Sequence, residues 1–304
     1  LSGEVHVFSP SYTEKNIKAY MLYADHLVFN SFSQWNRFKN IVRKKNISCG
    51  LRVNLEHSES DVSIYDPSRP KSQFGVTIKN FKENNLEGIE GLHFHNLCEL
   101  DADALKRSLD VFKDKFGRFL GEMKWVNFGG GHHITRKGYD LNLLIKIIRE
   151  FKLEYPHLDI YLEPGEAVAL NAGVLVGEVV DIFNNDINIA VLDVSATTHM
   201  PDVLEIPYLP TVLGAKPVIN DNDSNLYRLV GPSCLTGDVI GDYVFNEPLF
   251  IGQKIVFLNM AIYTMVKNNT FNGINLPSIA LIDKNHKIKI IRKFGYKDFK
   301  NRLS

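Results

Sequence analysis

Gly129-Gly130-Gly131 closes an apolar run, and three consecutive glycines let backbone N–H groups approach an anion closely. A helix start after such a loop adds its dipole, which is the usual recipe for holding phosphate; a tight turn has the same signature. His132-His133 follows directly. Adjacent histidines do not aim at one ion as i, i+4 histidines do, so no metal is expected there, although a metal-hydrolase reading stays open. Glu163-Pro164-Gly165-Glu166 ends the next apolar run. A carboxylate at that place can hydrogen-bond a ring nitrogen and keep it protonated, which matters if a cofactor serves as an electron sink. It can equally be the acidic first turn of a helix.

His93 and His95 alternate along a strand and so share one face, with His95 nearer its open end. Gly231-Pro232-Ser233-Cys234-Leu235-Thr236-Gly237-Asp238 puts a thiol on a loop framed by glycine and proline; Cys234 can instead be a small buried apolar residue. Tyr263 falls in a strand-like run, 262–267, ahead of Thr270-Phe271-Asn272-Gly273.

These groups need a scaffold. Short apolar runs at 5–9, 26–31, 50–54, 91–96, 124–129 and 159–163 alternate with segments of helical spacing such as 101–116 and 140–151. That alternation predicts a parallel sheet with crossover helices. Most of the runs end in polar residues or glycine, which describes the active face of a TIM-type barrel. Six strands are two short of a (β/α)8 barrel, and Val5-His6-Val7-Phe8 reads as a buried strand almost at the first residue. The expectation is therefore a barrel whose first two βα units are absent from this chain. From about residue 172 strand-like runs follow with little helix between them: 174–183, 187–192, 227–230, 254–257, 262–267, 279–282 and 287–291. This predicts two domains, an α/β barrel over 1–171 and an all-β sandwich or small barrel over 172–304, with 221–225 as a polar loop.

Lys+Arg and Asp+Glu both total 35, which gives no reason to expect nucleic acid or an anionic membrane as partner. No apolar run nears the roughly 20 residues of a membrane span. Three widely spaced cysteines, Cys49, Cys98 and Cys234, suit reduced thiols in a cytoplasm better than disulfides or structural zinc.

Taken together, the barrel-face and β-domain motifs resemble the fold type III, alanine-racemase-like decarboxylases that depend on pyridoxal 5'-phosphate (PLP). The resemblance spans nearly the whole chain. It is strongest, within that family, to the branch acting on carboxynorspermidine or carboxyspermidine, with diaminopimelate decarboxylase as the alternative. It is carried by 91–99, 125–135, Leu162-Glu163-Pro164-Gly165-Glu166, His199-Met200-Pro201-Asp202 and Cys234-Leu235-Thr236-Gly237-Asp238. The resemblance implies that Gly129, Gly130 and Gly131 hold the cofactor phosphate and that Tyr263 bonds to it. It places His95 against the ring face and Glu163 on the pyridine nitrogen. It also implies that Cys234 and Asp238 enter the site of a partner subunit, making a homodimer with shared active sites.

Relatives that act on diaminopimelate, ornithine or arginine carry arginine where this chain has Glu166. Arginine suits an anion, whereas glutamate suits a cation, and Asp202 supplies a second acid. Leu235 replaces the acidic residue that diaminopimelate and ornithine enzymes place after the loop cysteine. The expected substrate is thus a polyamine-like amino acid with two ammonium groups beyond its α-amino group. Cys234 is the candidate proton donor. The family's Schiff-base lysine is expected upstream of Leu1, since Lys15, Lys39 and Lys124 do not follow strand ends, and the chain from Leu1 on is not expected to turn over alone.

Overall fold

The computed structural model describes residues 3–60, 62–206, 208–219 and 224–303. Residues 221–223 of the expected polar loop lie outside them. The chain divides into two compact units, Leu1–Val168 and Ala169–Ser304.

In the first unit six strands form one sheet: β1 (His6–Ser9), β2 (His26–Phe29), β3 (Ser48–Arg52), β4 (Gly91–His93), β5 (Trp125–Asn127) and β6 (Asp159–Tyr161). They lie in chain order and every neighbouring pair is parallel. The sheet is curled, a half-barrel: ring centroids of His6 on one edge strand and Tyr161 on the other are 4.4 Å apart. All six strands fall where the apolar runs predict them.

Crossover helices α1 (Glu14–Tyr20), α2 (Phe32–Val42), α3 (Ala102–Phe116) and α4 (Leu141–Glu154) cover the outer face. Three start on side-chain caps, where Thr13, Ser31 and Asp140 accept backbone N–H bonds from Asn16, Gln34 and Leu143. Apolar residues at helical spacing then fix which side turns inward: Trp35, Phe38 and Val42 on α2, and Leu105, Leu109, Phe112 and Phe116 on α3, are buried. The strands supply the matching face through Leu27, Phe29, Leu51, Leu92, Phe94, Val126 and Phe128. The alternate residues line the concave face. There Trp125 lies across two glycines, since a Cβ at Gly91 or Gly50 would stand 2.1 or 2.3 Å from the indole. A short helix, α5 (Gly165–Ala169), follows β6.

The second unit is built on a mixed sheet of β7 (Leu175–Asn185), β8 (Ile187–Leu192), β9 (Ala215–Pro217), β10 (Leu226–Val230), β11 (Val239–Phe245) and β12 (Lys254–Phe257). The order is β12-β7-β8-β10-β11-β9, antiparallel except for β8 beside β10. Val179, Leu192, Leu229, Ile240, Tyr243 and Phe257 form its core with Ala196, Met200 and Val203 from α6 (Ala196–His199) and α7 (Pro201–Glu205). A hairpin of β13 (Ile279–Ile282) and β14 (Ile288–Arg292) and a last helix α9 (Tyr296–Leu303) complete it.

One expectation needs correction here. The run 262–267 is not a strand: Tyr263–Lys267 is helix α8, with Thr264 buried against Asp202. A six-residue, mostly apolar run has no periodicity that separates strand from helix, and tertiary packing decides. The second unit is the expected sheet domain, with the short helices α6 to α9 accompanying its strands. Strands β9 and β11 are additions to the sequence reading. In β11, glycine, aspartate and tyrosine at 241–243 break the apolar pattern.

Candidate active site

The C-terminal ends of β4, β5 and β6 meet around one carboxylate. Asn127 donates from Nδ2 to Glu163 Oε1 at 2.9 Å, and its own Oδ1 accepts from the Gly129 N–H at 2.8 Å. The same buried amide thus positions both Glu163 and the first glycine. Two imidazoles lie near the other oxygen, with His93 Nε2 at 3.6 Å and His95 Nδ1 at 3.9 Å from Glu163 Oε2. Those lengths are electrostatic contacts rather than hydrogen bonds. Burial works to raise the Glu163 carboxyl, but His93, His95 and Asn127 outweigh it and hold it well below the usual carboxylate range. His93 is fully enclosed, and burial pushes it down to about 4.

His95 is half-exposed at the open end. The Gly130 N–H donates to its Nδ1 at 3.2 Å. The glycines are required by space and by backbone. Gly129 and Gly131 have φ of +71° and +81°, and a Cβ on them would stand 2.4 Å from the Phe94 carbonyl oxygen and 2.1 Å from that of Leu97. At Gly130 a Cβ would come within 2.5 Å of the Glu163 carbonyl oxygen and 3.1 Å of the His95 ring. The result is a side-chain-free strip of backbone beside an imidazole face and an ionised carboxylate. It suits a flat, anionic ring cofactor.

Sequence reasoning did not single out Arg52, which extends the same wall. Its guanidinium is buried between the rings of Phe8 and Phe74, 4.6 and 4.5 Å from their centroids, and donates to the His95 carbonyl at 3.1 Å. Burial lowers it to about 10, so it remains a cation at neutral pH. Asn127 was also missed. Both sit at alternate positions of predicted strands, a signal shared by every inward residue. Glu99, on the loop after β4 with φ of +55°, is a third. Burial and Glu99, which hydrogen-bonds to it, push the Glu166 carboxyl up to about 7, so this pair shares a proton near neutrality.

His132 and His133 are buried, with no hydrogen-bond partner for their ring nitrogens among the described residues. Neither joins a cluster with metal-ligand spacing among those residues.

The second unit holds the remaining candidates. The Asp238 carboxylate accepts from Ser195 Oγ at 2.9 and 2.8 Å, from the Thr197 N–H at 3.0 Å and from the Ser233 N–H at 3.1 Å. Burial raises its carboxyl, and the bonds from Ser233, Thr197 and Ser195 prevail and keep it low. Its oxygens are therefore taken up in tying the 231–238 loop to α6. Cys234 is exposed on that loop, where its N–H donates to Asn272 Oδ1 at 3.1 Å. Asp202 is buried on α7. Its Oδ2 accepts from Tyr208 and Thr264, both at 2.7 Å, while Oδ1 is buried with no partner among the described residues. Tyr263 opens α8 and is 58% exposed.

The family described as "Pyridoxal-dependent decarboxylase, C-terminal sheet domain" matches residues 7–261. The chain belongs to the pyridoxal-dependent decarboxylases. A carboxynorspermidine/carboxyspermidine decarboxylase of Campylobacter jejuni is 46% identical over 98% of this chain and 80% of that protein. A carboxyaminopropylagmatine decarboxylase of Synechocystis is 41% identical over 99% of this chain and 77% of its own length. The crystal structure of carboxynorspermidine decarboxylase from Campylobacter jejuni complexed with norspermidine superposes with a TM-score of 0.89 at 45% identity, covering 99% of this chain and 81% of that one. Diaminopimelate decarboxylases are more distant; that of Haemophilus influenzae is 27% identical over 80% of this chain and 61% of that protein. Members of the family use pyridoxal phosphate, and the glycine strip, His95 and Glu163 are the groups on this chain that fit it.

Proposed function

We propose that this decarboxylase acts on carboxynorspermidine, carboxyspermidine or both, releasing CO2 and leaving norspermidine or spermidine. The observation that carries the reading is Glu163, kept anionic by Asn127, His93 and His95 next to the glycine strip. Pyridoxal phosphate bound there supplies the sink for the electron pair left when the C–CO2 bond breaks. Glu163 holds a proton on the ring nitrogen, which makes that sink effective, and His95 packs on the ring face. Gly129, Gly130 and Gly131 hold the phosphate, with Tyr263 as a further contact.

The substrate's distal chain bears two ammonium groups, and Glu166 and Asp202 are the acids that receive them. The buried Oδ1 of Asp202, without a partner among the described residues, supports that role. The similarity to the Campylobacter jejuni and Synechocystis enzymes supports an aminopropyl-bearing substrate over diaminopimelate, whose second end carries a carboxylate. Cys234 donates the proton that replaces CO2 on the same carbon, and it comes from a second copy of the chain. Asp238 fixes the loop that presents it. Three free cysteines fit a reducing cytoplasm, and no helix among the described residues is long and apolar enough to cross a membrane.

The test is CO2 release by the full-length enzyme from carboxynorspermidine, carboxyspermidine, carboxyaminopropylagmatine and meso-diaminopimelate. A kcat/KM higher for either of the first two is expected. Preference for diaminopimelate would overturn the substrate assignment, and preference for carboxyaminopropylagmatine would move it to a guanidinium-ended chain. For the shared site, inactive Cys234→Ala and Glu163→Gln chains are mixed, and recovered activity is expected only if one copy completes the other.

A further inference from the structure

At the N-terminal ends of the barrel strands, opposite the ends that carry His95 and Glu163, a second pair of histidines takes no part in the chemistry above. His6 and His26 open β1 and β2 and are direct cross-strand partners. Their rings stack 3.9 Å apart and 7° from parallel. Both Nε2 atoms face one carboxylate oxygen, Glu4 Oε2, at 3.4 and 3.7 Å. The same oxygen accepts from the Tyr161 hydroxyl at 2.9 Å. Trp125 closes the cluster edge-on, 5.2 Å from the His26 ring.

Two imidazoles in a barrel interior are a costly choice. Their Nδ1 atoms are buried and have no partner among the described residues, a penalty of about 1–3 kcal/mol each. An apolar pair would fill the space without it. Something must therefore favour histidine, and among the described residues the polar group that both rings meet is a carboxylate.

We propose that Glu4, His6 and His26 form a divalent transition-metal site, with zinc as the ion their donors suit. Two imidazole nitrogens and one carboxylate oxygen are a zinc ligand set with a fourth position left for water. Tetrahedral ligands at about 2.0–2.1 Å from zinc lie roughly 3.4 Å from one another, close to the spacings here. The ligand atoms of all three residues lie within 4.8 Å of one another. Parallel rings aim their lone pairs side by side, so one must tilt about χ2 to converge; His6, on the edge strand and the less buried of the two, is the ring free to do so. Tyr161 orients the carboxylate from β6, the far edge of the sheet, as groups behind metal ligands commonly do. The ion would link both edges of the half-barrel. Its role is structural, since this end of a barrel serves stability and the other end serves chemistry.

Zinc chloride is titrated by calorimetry into chelator-treated full-length holoenzyme, and cobalt is followed by its visible absorption, which reports four-coordinate geometry. One ion per chain is expected, together with a Tm that rises with zinc concentration. Glu4→Gln, at an exposed position, should weaken binding at least tenfold and flatten the Tm response, and His26→Ala should abolish both. Glu163→Gln serves as the control, because His93, His95 and Glu163 also meet ligand spacing; it should bind as the parent does. No stoichiometric binding, or binding lost in Glu163→Gln and intact in Glu4→Gln, overturns the proposal. If His26→Ala fails to fold, Glu4→Gln decides the matter alone.

Discussion

Replacing Glu166 by glutamine should make the protein more stable and a poorer enzyme, and both changes should depend on pH. Burial and Glu99 push this carboxyl from 4.5 up to about 7. Between those values the folded chain keeps a proton that the unfolded chain has released, so stability falls as pH rises through the window and the whole cost is present above about pH 7. The gap of about 2.5 pH units would amount to roughly 3.4 kcal/mol for an enclosed group. Glu166 is half-exposed, and screening reduces this to about 1–2 kcal/mol. Glutamine carries no such cost, so urea unfolding should show a gain of about 1–2 kcal/mol at pH 8 and almost none at pH 4.5.

The same ionised carboxylate is the proposed ammonium contact. Its loss should remove about 1.5–3 kcal/mol of charge-assisted bonding, a rise in KM of roughly 10- to 100-fold, with PLP content unchanged. In the parent enzyme KM should fall as pH climbs from 6 to 8, and in Glu166→Gln that slope should vanish. An unchanged KM, or a variant less stable at pH 8, refutes the reasoning.

Cys234→Ala should lose turnover while its PLP absorbance stays at the parent level; retained turnover would remove the thiol from the proton-transfer step. Glu163→Gln should lower kcat by about 10²–10³-fold, because a neutral amide no longer holds the ring proton, and the bound-PLP spectrum should shift with it. Gly131→Ala, with its Cβ 2.1 Å from the Leu97 carbonyl oxygen at φ of +81°, should cost about 2–4 kcal/mol in urea unfolding and weaken PLP retention on dialysis. Asp238→Ala leaves Ser195, Thr197 and Ser233 without their acceptor and should cost about 2–4 kcal/mol. Because that carboxyl is held below 3.8, the deficit against the parent should shrink as pH drops through that value, measured as the difference in Tm.

Much of the candidate site was legible because its residues lie where strands end. Apolar runs of five or six residues located all six barrel strands, and the polar or glycine residues that close them gave His95, Gly129–Gly131 and Glu163. The companions of these residues were not legible. Arg52 and Asn127 occupy ordinary alternate positions, and nothing in a linear pattern marks an inward arginine as the one between two aromatic rings. Glu99 is a loop residue whose importance comes from Glu166, 67 positions away. The resemblance sends Asp238 into the site of a partner subunit, and only three-dimensional contacts reveal the four hydrogen bonds that its carboxylate accepts.

The sequence by itself determined the succession of strands and helices, the glycine loop, the strand-end glutamate and the substitution of glutamate for arginine at 166. Periodicity and residue type are local, and local signals suffice for elements and for motifs confined to one strand end. The tertiary structure decided which side chains share a charge or a proton. Glu163 among Asn127, His93 and His95, Glu166 against Glu99, and Glu4 between His6 and His26 are each drawn from two or more strands or loops. Their ionisation depends on burial and distance, which sheet curvature sets and no spacing along the chain encodes.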